Sequence, residues 1–188
     1  MKKIKVREDL EAYLKIQYWF FSYPDKEMSL TDLSTVLKIS KTTANRIVTQ
    51  LVDEGFLRKE ILGKLWRISS NKDHPRLYQR KISYNLGMIY ESGILEEIHR
   101  QIPNSKAIIL FGSYRKGDDN EKSDIDIAVE VLDDEDVRIF EVGIIPQLGY
   151  RINVPVNVHV FSRNKIDLNL FANIANGIVL EGFLEVRP

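Results

Sequence analysis

Two aspartates, Asp124 and Asp126, stand one residue apart in the apolar run Asp124-Ile-Asp-Ile-Ala-Val-Glu130. In an extended strand successive side chains alternate faces, so both carboxylates project to one side while Ile125, Ile127 and Val129 point into a core. Their α-carbons then lie ~7 Å apart. That spacing suits one Mg²⁺, or two cations ~3.5–4 Å apart, with phosphate oxygens as further ligands. Upstream, Gly112-Ser113 directly follows another apolar run, Lys106–Phe111. Gly112 has no Cβ and lets backbone approach a polyphosphate, and Ser113 can donate a hydrogen bond to it. A polar loop, 112–123, joins the two runs and carries Arg115, Lys116, Gly117 and Ser123. Taken singly, these features are a turn and a solvated strand face. Their conjunction is uncommon and points to a cation held against phosphate.

Other chemistries fail on composition or spacing. The chain has no cysteine, which excludes disulfides, thiolate nucleophiles and zinc-thiolate sites and fits a cytosolic setting. Gly112 and Gly117 have the glycine spacing of a P-loop, but Asp118-Asp119 stands where Lys-Ser/Thr is required. There is no Gly-x-Ser-x-Gly elbow. His74, His99 and His159 are too scattered for a zinc site: His74 reads as a turn residue and His99 as a helix-surface one.

An apolar strand, Gly-Ser, a basic glycine-containing loop and Ser-Asp-x-Asp resemble the nucleotidyltransferase superfamily that includes DNA polymerase beta and the minimal nucleotidyltransferases. The matching positions are Gly112, Ser113, Gly117, Ser123, Asp124 and Asp126, and Phe171 to Gly182, ending Asn-Gly-Ile-Val-Leu-Glu-Gly, resembles the family's closing helix and short strand. The resemblance covers about residues 94–182. It implies an α/β nucleotidyltransferase fold, Mg²⁺ (or Mn²⁺) at Asp124 and Asp126, and a nucleoside triphosphate held by Gly112, Ser113, Arg115, Lys116 and Ser123. The implied reaction transfers a nucleotidyl group to a hydroxyl. One position departs from the pattern. The family's third carboxylate falls on a later strand, here Val154-Pro-Val-Asn-Val-His-Val160, at Asn157, with His159 on the same face. An amide coordinates a cation weakly and cannot act as a general base. If the third carboxylate plays that part, its loss costs ~10²–10⁴-fold in rate.

The elements that must position these residues occupy the second half of the chain. Strands are expected over 106–111, 124–130 and 154–161, with helices over 135–149 and 165–176; such alternation indicates an α/β sheet. Before it, 75–102 reads as a helical connector with a break near Gly93.

The first part has a different layout. Residues 8–23 carry an apolar stripe of Leu10, Tyr13, Leu14, Gln17 and Phe21, widened by Trp19 and Phe20. Ser29-Leu-Thr-Asp32 has capping-box spacing before a short helix. Ser40 caps a third helix, 41–54, with Ala44, Ile47, Val48, Leu51 and Val52 inward and Gly55 as its terminator. Two strands, 56–61 and 65–69, flank Leu62-Gly63-Lys64. This order resembles winged helix-turn-helix regulators over residues 29–69. The resemblance implies a duplex-DNA partner, a homodimer, and a recognition helix 41–54 in the major groove. Lys41, Thr42, Thr43, Asn45, Arg46, Thr49 and Gln50 line its polar face. Ser40, Thr42 and Thr43 suit phosphate, while Arg, Asn and Gln suit base edges. Lys64 and Arg67 stand on the expected wing, with Arg58 and Lys59. The aromatic-rich stretch 8–23 packs in the core or contributes to a dimer interface.

The chain has 188 residues, 27 basic and 27 acidic, so its net charge is zero. The balance hides a split: residues 1–80 carry 16 basic and 10 acidic side chains, a net of +6, and residues 81–188 carry −6. Halves of opposite sign suit two partners, phosphate for one and a metal for the other. No apolar run approaches the ~20 residues of a membrane span, and Arg7, Glu8, Asp9 and Glu11 stand where a signal peptide would be apolar. The expectation is an α+β chain in three parts: a winged helix over 1–75, a connector over 76–102 and a nucleotidyltransferase-like domain over 103–188. The leading reading is a cytoplasmic DNA-binding regulator that senses or uses a nucleoside triphosphate. The alternatives are an active enzyme adding a nucleotide to a protein or RNA hydroxyl, with the winged helix selecting the target, and an antitoxin-like partner protein.

Overall fold

The computed structural model describes residues 10–63, 65–132 and 136–186, arranged in two compact units divided between Leu77 and Tyr78. In the first unit, α1 (Leu10–Ser22) buries Tyr13, Ile16, Trp19, Phe20 and Phe21. Its aromatic stretch is therefore core, and those rings are not available to a partner. The start of the expected helix, residues 8 and 9, lies outside the described residues. α2 (Leu30–Val36) begins at Ser29, whose Oγ accepts from the Asp32 amide. α3 (Lys41–Asp53) begins at Ser40, whose Oγ accepts from the Thr43 amide at 3.0 Å. These caps satisfy amides that have no partner within the helix. α3 turns Ala44, Ile47, Val48 and Leu51 inward and ends at Gly55, φ +81°. β1 (Leu57–Leu62) and β2 (Leu65–Ser70) pair antiparallel around the Gly63 turn, and Met28 bridges to Ile68 on the other side of β2. The result is helix, helix, turn, helix, hairpin.

The second unit is a mixed five-stranded sheet in the order β5-β6-β4-β3-β7. Its strands are β3 (Ser105–Phe111), β4 (Ile125–Val131), β5 (Arg138–Leu148), β6 (Arg151–Phe161) and β7 (Ile178–Gly182). β4 and β6 run parallel, and every other pair is antiparallel. Ile125, Ile127 and Val129 of β4 and Val154, Val156, Val158 and Val160 of β6 face one core. α4 (Pro75–Glu91) and α5 (Ile94–Gln101), in the stretch read as a connector, add Ile89, Ile94 and Ile98 to that core. They are separated at Gly93, φ +78°, as expected. On the opposite face Ala107, Ile109, Phe111, Ala128 and Phe161 pack with Ile174 of α7 (Leu168–Ala175).

The expected helix over 135–149 is corrected: 138–148 is the edge strand β5. Gly143 and Pro146 oppose a helix here, while the β-branched residues Ile139, Val142, Ile144 and Ile145 suit a strand. Pro146 is tolerated because an edge strand leaves one row of amides unpaired. The polar loop is also corrected at its start, where Gly112–Lys116 forms the short helix α6.

Candidate functional site

The acids sit where β4 begins. Asp124 immediately precedes the strand and is exposed, while Asp126 is its second residue and half-buried. The expected strand start at Asp124 thus moves by one residue. Register places Asp126 between two strand neighbours, Phe111 of β3 and Asn157 of β6. Asn157 therefore stands beside Asp126 in the sheet, and its Nδ2 donates to Asp124 Oδ2 at 3.2 Å. His159, two residues further on the same face, places Nε2 3.8 Å from Asp126 Oδ1, too long for a hydrogen bond. Its ring meets Phe111 edge-on, with centroids 4.9 Å apart.

Gly112 lies against this pair. Its φ is +69°, and a Cβ built there would stand 2.5 Å from Asp126 Oδ2. Only glycine lets the β3–α6 turn and that carboxylate share the space. Ser113 and Arg115 are half-buried and Lys116 is exposed. Gly117 closes α6 with φ +77°, its amide donating to the Ser113 carbonyl at 2.8 Å. Ser123 Oγ accepts from the Asn120 amide at 3.0 Å and so shapes the approach to Asp124.

The sequence reading missed what holds this loop. Asp119, which served there only to exclude a P-loop, is buried. Lys81 Nζ lies 3.0 Å from its Oδ2. Asn85 Nδ2 donates to Asp119 Oδ1 at 2.7 Å and to the Tyr114 carbonyl at 3.1 Å. Lys81 and Asn85, four residues apart on α4, therefore grip the loop from one helix face. Arg151, buried at the head of β6, donates to the Tyr114 hydroxyl and to the carbonyls of Ser123 at 2.7 Å and Glu121 at 3.2 Å. Burial pushes the Asp119 carboxyl up and the Lys81 ammonium down, and each is opposed by the other's charge. Burial likewise pushes the Tyr114 phenol up. The spacing of Lys81 and Asn85 was the one visible signal, but their partners lie 29–38 residues away.

Among the described residues no three His, Asp or Glu side chains form a ready-made metal cluster. The oxygen donors present are two carboxylates and an amide, all hard, with the His159 imidazole beside Asp126. Mg²⁺ characteristically takes one or two carboxylates and fills its shell with phosphate oxygens and water. The donor set and the side-chain-free Gly112 therefore suit a cation carried with a polyphosphate.

In the first unit, Lys41, Thr42, Asn45 and Arg46 lie exposed on α3 and Thr43, Thr49 and Gln50 are half-buried. Exposed Ser40 serves as the cap, and its Oγ lies 2.8 Å from Thr43 Oγ1. Gln50 is turned back along the helix, donating to Glu54 Oε1 at 2.8 Å. On the hairpin Arg67 pairs with Glu27 at 2.9 Å, and Arg58 with Asp73 at 2.5 Å. Lys59 lies over the Trp66 ring. Lys64 lies outside the described residues. The start of α3 thus gathers the polar side chains, while much of the hairpin's positive charge is matched locally.

Comparison with protein families agrees with both halves. Residues 20–60 match the IclR helix-turn-helix domain and residues 92–179 the nucleotidyltransferase domain. No curated protein matches the chain significantly. The two matches, to an IclR-type helix-turn-helix domain and to a nucleotidyltransferase domain, follow one another along the chain.

Proposed function

We propose that the protein is a DNA-binding transcriptional regulator whose second domain binds a nucleoside triphosphate with Mg²⁺ or Mn²⁺ and turns it over poorly or not at all. The supporting observation is the register of β4 and β6, which stands Asn157 beside Asp126. Asp124 and Asp126 hold the cation, and it in turn neutralises phosphate charge. Gly112, Ser113, Arg115, Lys116 and Ser123 border the phosphates. Asn157 supplies no base for an attacking hydroxyl. Binding is kept and chemistry is weakened, which suits a sensor. α3 reads duplex DNA through residues from Ser40 to Arg46, as a homodimer on two-fold sites. No helix among the described residues is long and apolar enough to cross a membrane, and the proposed setting is the cytoplasm.

The test uses full-length protein with labelled ATP, CTP, GTP and UTP, Mg²⁺ or Mn²⁺, and protein and RNA acceptors. Retention of at least one nucleotide with negligible transfer is expected, with Asn157→Asp raising transfer. Rapid transfer by the wild type would favour an active nucleotidyltransferase with the helix-turn-helix as target selector. Sedimentation measures the expected dimer.

A further inference from the structure

β5 continues the row of the site by one more strand. Asn157 pairs with Asp126 on one side and with Glu141 on the other, so Asp126, Asn157 and Glu141 lie abreast across β4, β6 and β5. Directly opposed residues share a sheet face. Glu141 therefore belongs to the face of the two aspartates, while its neighbours Phe140 and Val142 pack into the opposite core. The ladder is interrupted immediately after Glu141, with the shift in register falling between Glu141 and Gly143. Bulges of this kind re-aim a side chain beside an active site. Glu141 is exposed, and no hydrogen bond or ion pair among the described residues holds its carboxylate.

We propose that Glu141 supplies, from the neighbouring strand, the anionic oxygen that Asn157 lacks, and ligates the cation that accompanies the nucleotide at Asp124 and Asp126. Two strand spacings put its α-carbon ~10 Å from that of Asp126. Among the described residues no three such side chains are clustered as they stand, so ligation requires Glu141, one methylene longer than aspartate, to swing in over Asn157 until its oxygen and those of the aspartates meet one cation at ~2.1 Å. Asn157 lies between and caps Asp124 through its amide. The inference rests on the nucleotide-binding reading above and adds one ligand to it. It also gives the bulged edge strand, which the sequence had suggested was a helix, a part in the site.

The test is Mn²⁺ binding to the full-length chain, followed by electron paramagnetic resonance of free Mn²⁺. Non-hydrolysable analogues of ATP, GTP, CTP and UTP are supplied in turn. Glu141→Gln is expected to weaken Mn²⁺ binding by at least the roughly tenfold seen on removing a metal's outer-shell partner. Glu141→Asp keeps the charge but loses the reach, and is expected to weaken binding nearly as much. Asn157→Asp added to Glu141→Gln is expected to restore it. Circular dichroism checks that each variant is folded, which an exposed edge position should allow. Wild-type affinity in both Glu141 variants, with loss in Asp126→Asn, would overturn the role of Glu141 and leave the nucleotide site standing. Wild-type-like binding by Glu141→Asp alone would reduce Glu141 to a nearby charge and overturn ligation. No Mn²⁺ uptake by the wild type with any analogue would overturn both readings.

Discussion

A methyl group at Gly112 meets two penalties that the same methyl at Gly87 does not. Gly112 sits at φ +69° with Asp126 Oδ2 in the way of a Cβ. Left-handed backbone alone costs a non-glycine residue ~1–2 kcal/mol, and the clash must move either the turn or the carboxylate. Gly112→Ala is therefore expected to lower stability by about 2 kcal/mol and to abolish nucleotide-dependent Mn²⁺ binding. Gly87 lies within α4 with nothing within 4 Å of its Cβ position. Gly87→Ala is expected to stabilise by roughly 0.5–1 kcal/mol through helix propensity and to leave Mn²⁺ binding alone. Denaturant titration and Mn²⁺ uptake on the two variants separate backbone freedom from site geometry. An unaltered Mn²⁺ affinity in Gly112→Ala would show that Asp126 needs no glycine beside it.

Helix α4 and the loop it holds carry the next prediction. Lys81 and Asp119 are both desolvated, so each depends on the other's charge. Removing one partner of a buried pair typically costs ~3–5 kcal/mol, whereas replacing both by apolar groups of similar size is often neutral. Lys81→Met is expected to destabilise by about 3 kcal/mol, and Lys81→Met with Asp119→Leu to recover most of that loss in chemical unfolding. The double variant still lacks the hydrogen bond from Asn85 to Asp119 Oδ1, so the loop bearing Ser123 loosens. Nucleotide-dependent Mn²⁺ binding is expected to stay weakened although stability returns. Full recovery of both would show that the pair only fills space. The same elements show what sequence could convey. Ser29, Ser40, Gly55 and Gly93 mark helix ends through bonds within one turn or through local φ, so the helices were legible from neighbouring residues. The two aspartates and Gly112 were legible because strand alternation and a short loop bring them together. β5 was not: its pattern is broken by Gly143 and Pro146, and its register depends on β6, a partner that local propensity does not contain. The grip of Lys81, Asn85 and Arg151 on loop 117–123 was hidden for a related reason. Each bond spans about thirty residues, and isolated Lys, Asn and Arg read as surface.

Across the whole chain, +6 in residues 1–80 and −6 in residues 81–188 cancel in the total while leaving the two parts opposite in sign. The positive part should meet phosphate mainly through α3, because Arg58 and Arg67 of the hairpin are already paired with acids. Binding to duplex DNA is therefore expected to weaken with salt, and Lys41→Ala to lower the slope of log affinity against log salt by about 1. A slope unchanged by Lys41→Ala would remove the start of α3 from the phosphate contacts. A sensor makes one demand more, that nucleotide and DNA change each other's affinity. Such coupling is typically 5–150-fold, and linkage makes it reciprocal: whatever factor the nucleotide applies to DNA, DNA applies to the nucleotide. Fluorescence anisotropy of labelled duplex, with and without Mn²⁺ and nucleotide, measures one direction, and Mn²⁺ uptake with and without duplex measures the other. Equal factors of several-fold are expected, with Asp126→Asn removing both. A factor of one in both directions, with each ligand still bound, would mean that the second domain does not govern the first. The acids would then serve transfer to an acceptor that the helix-turn-helix domain brings near.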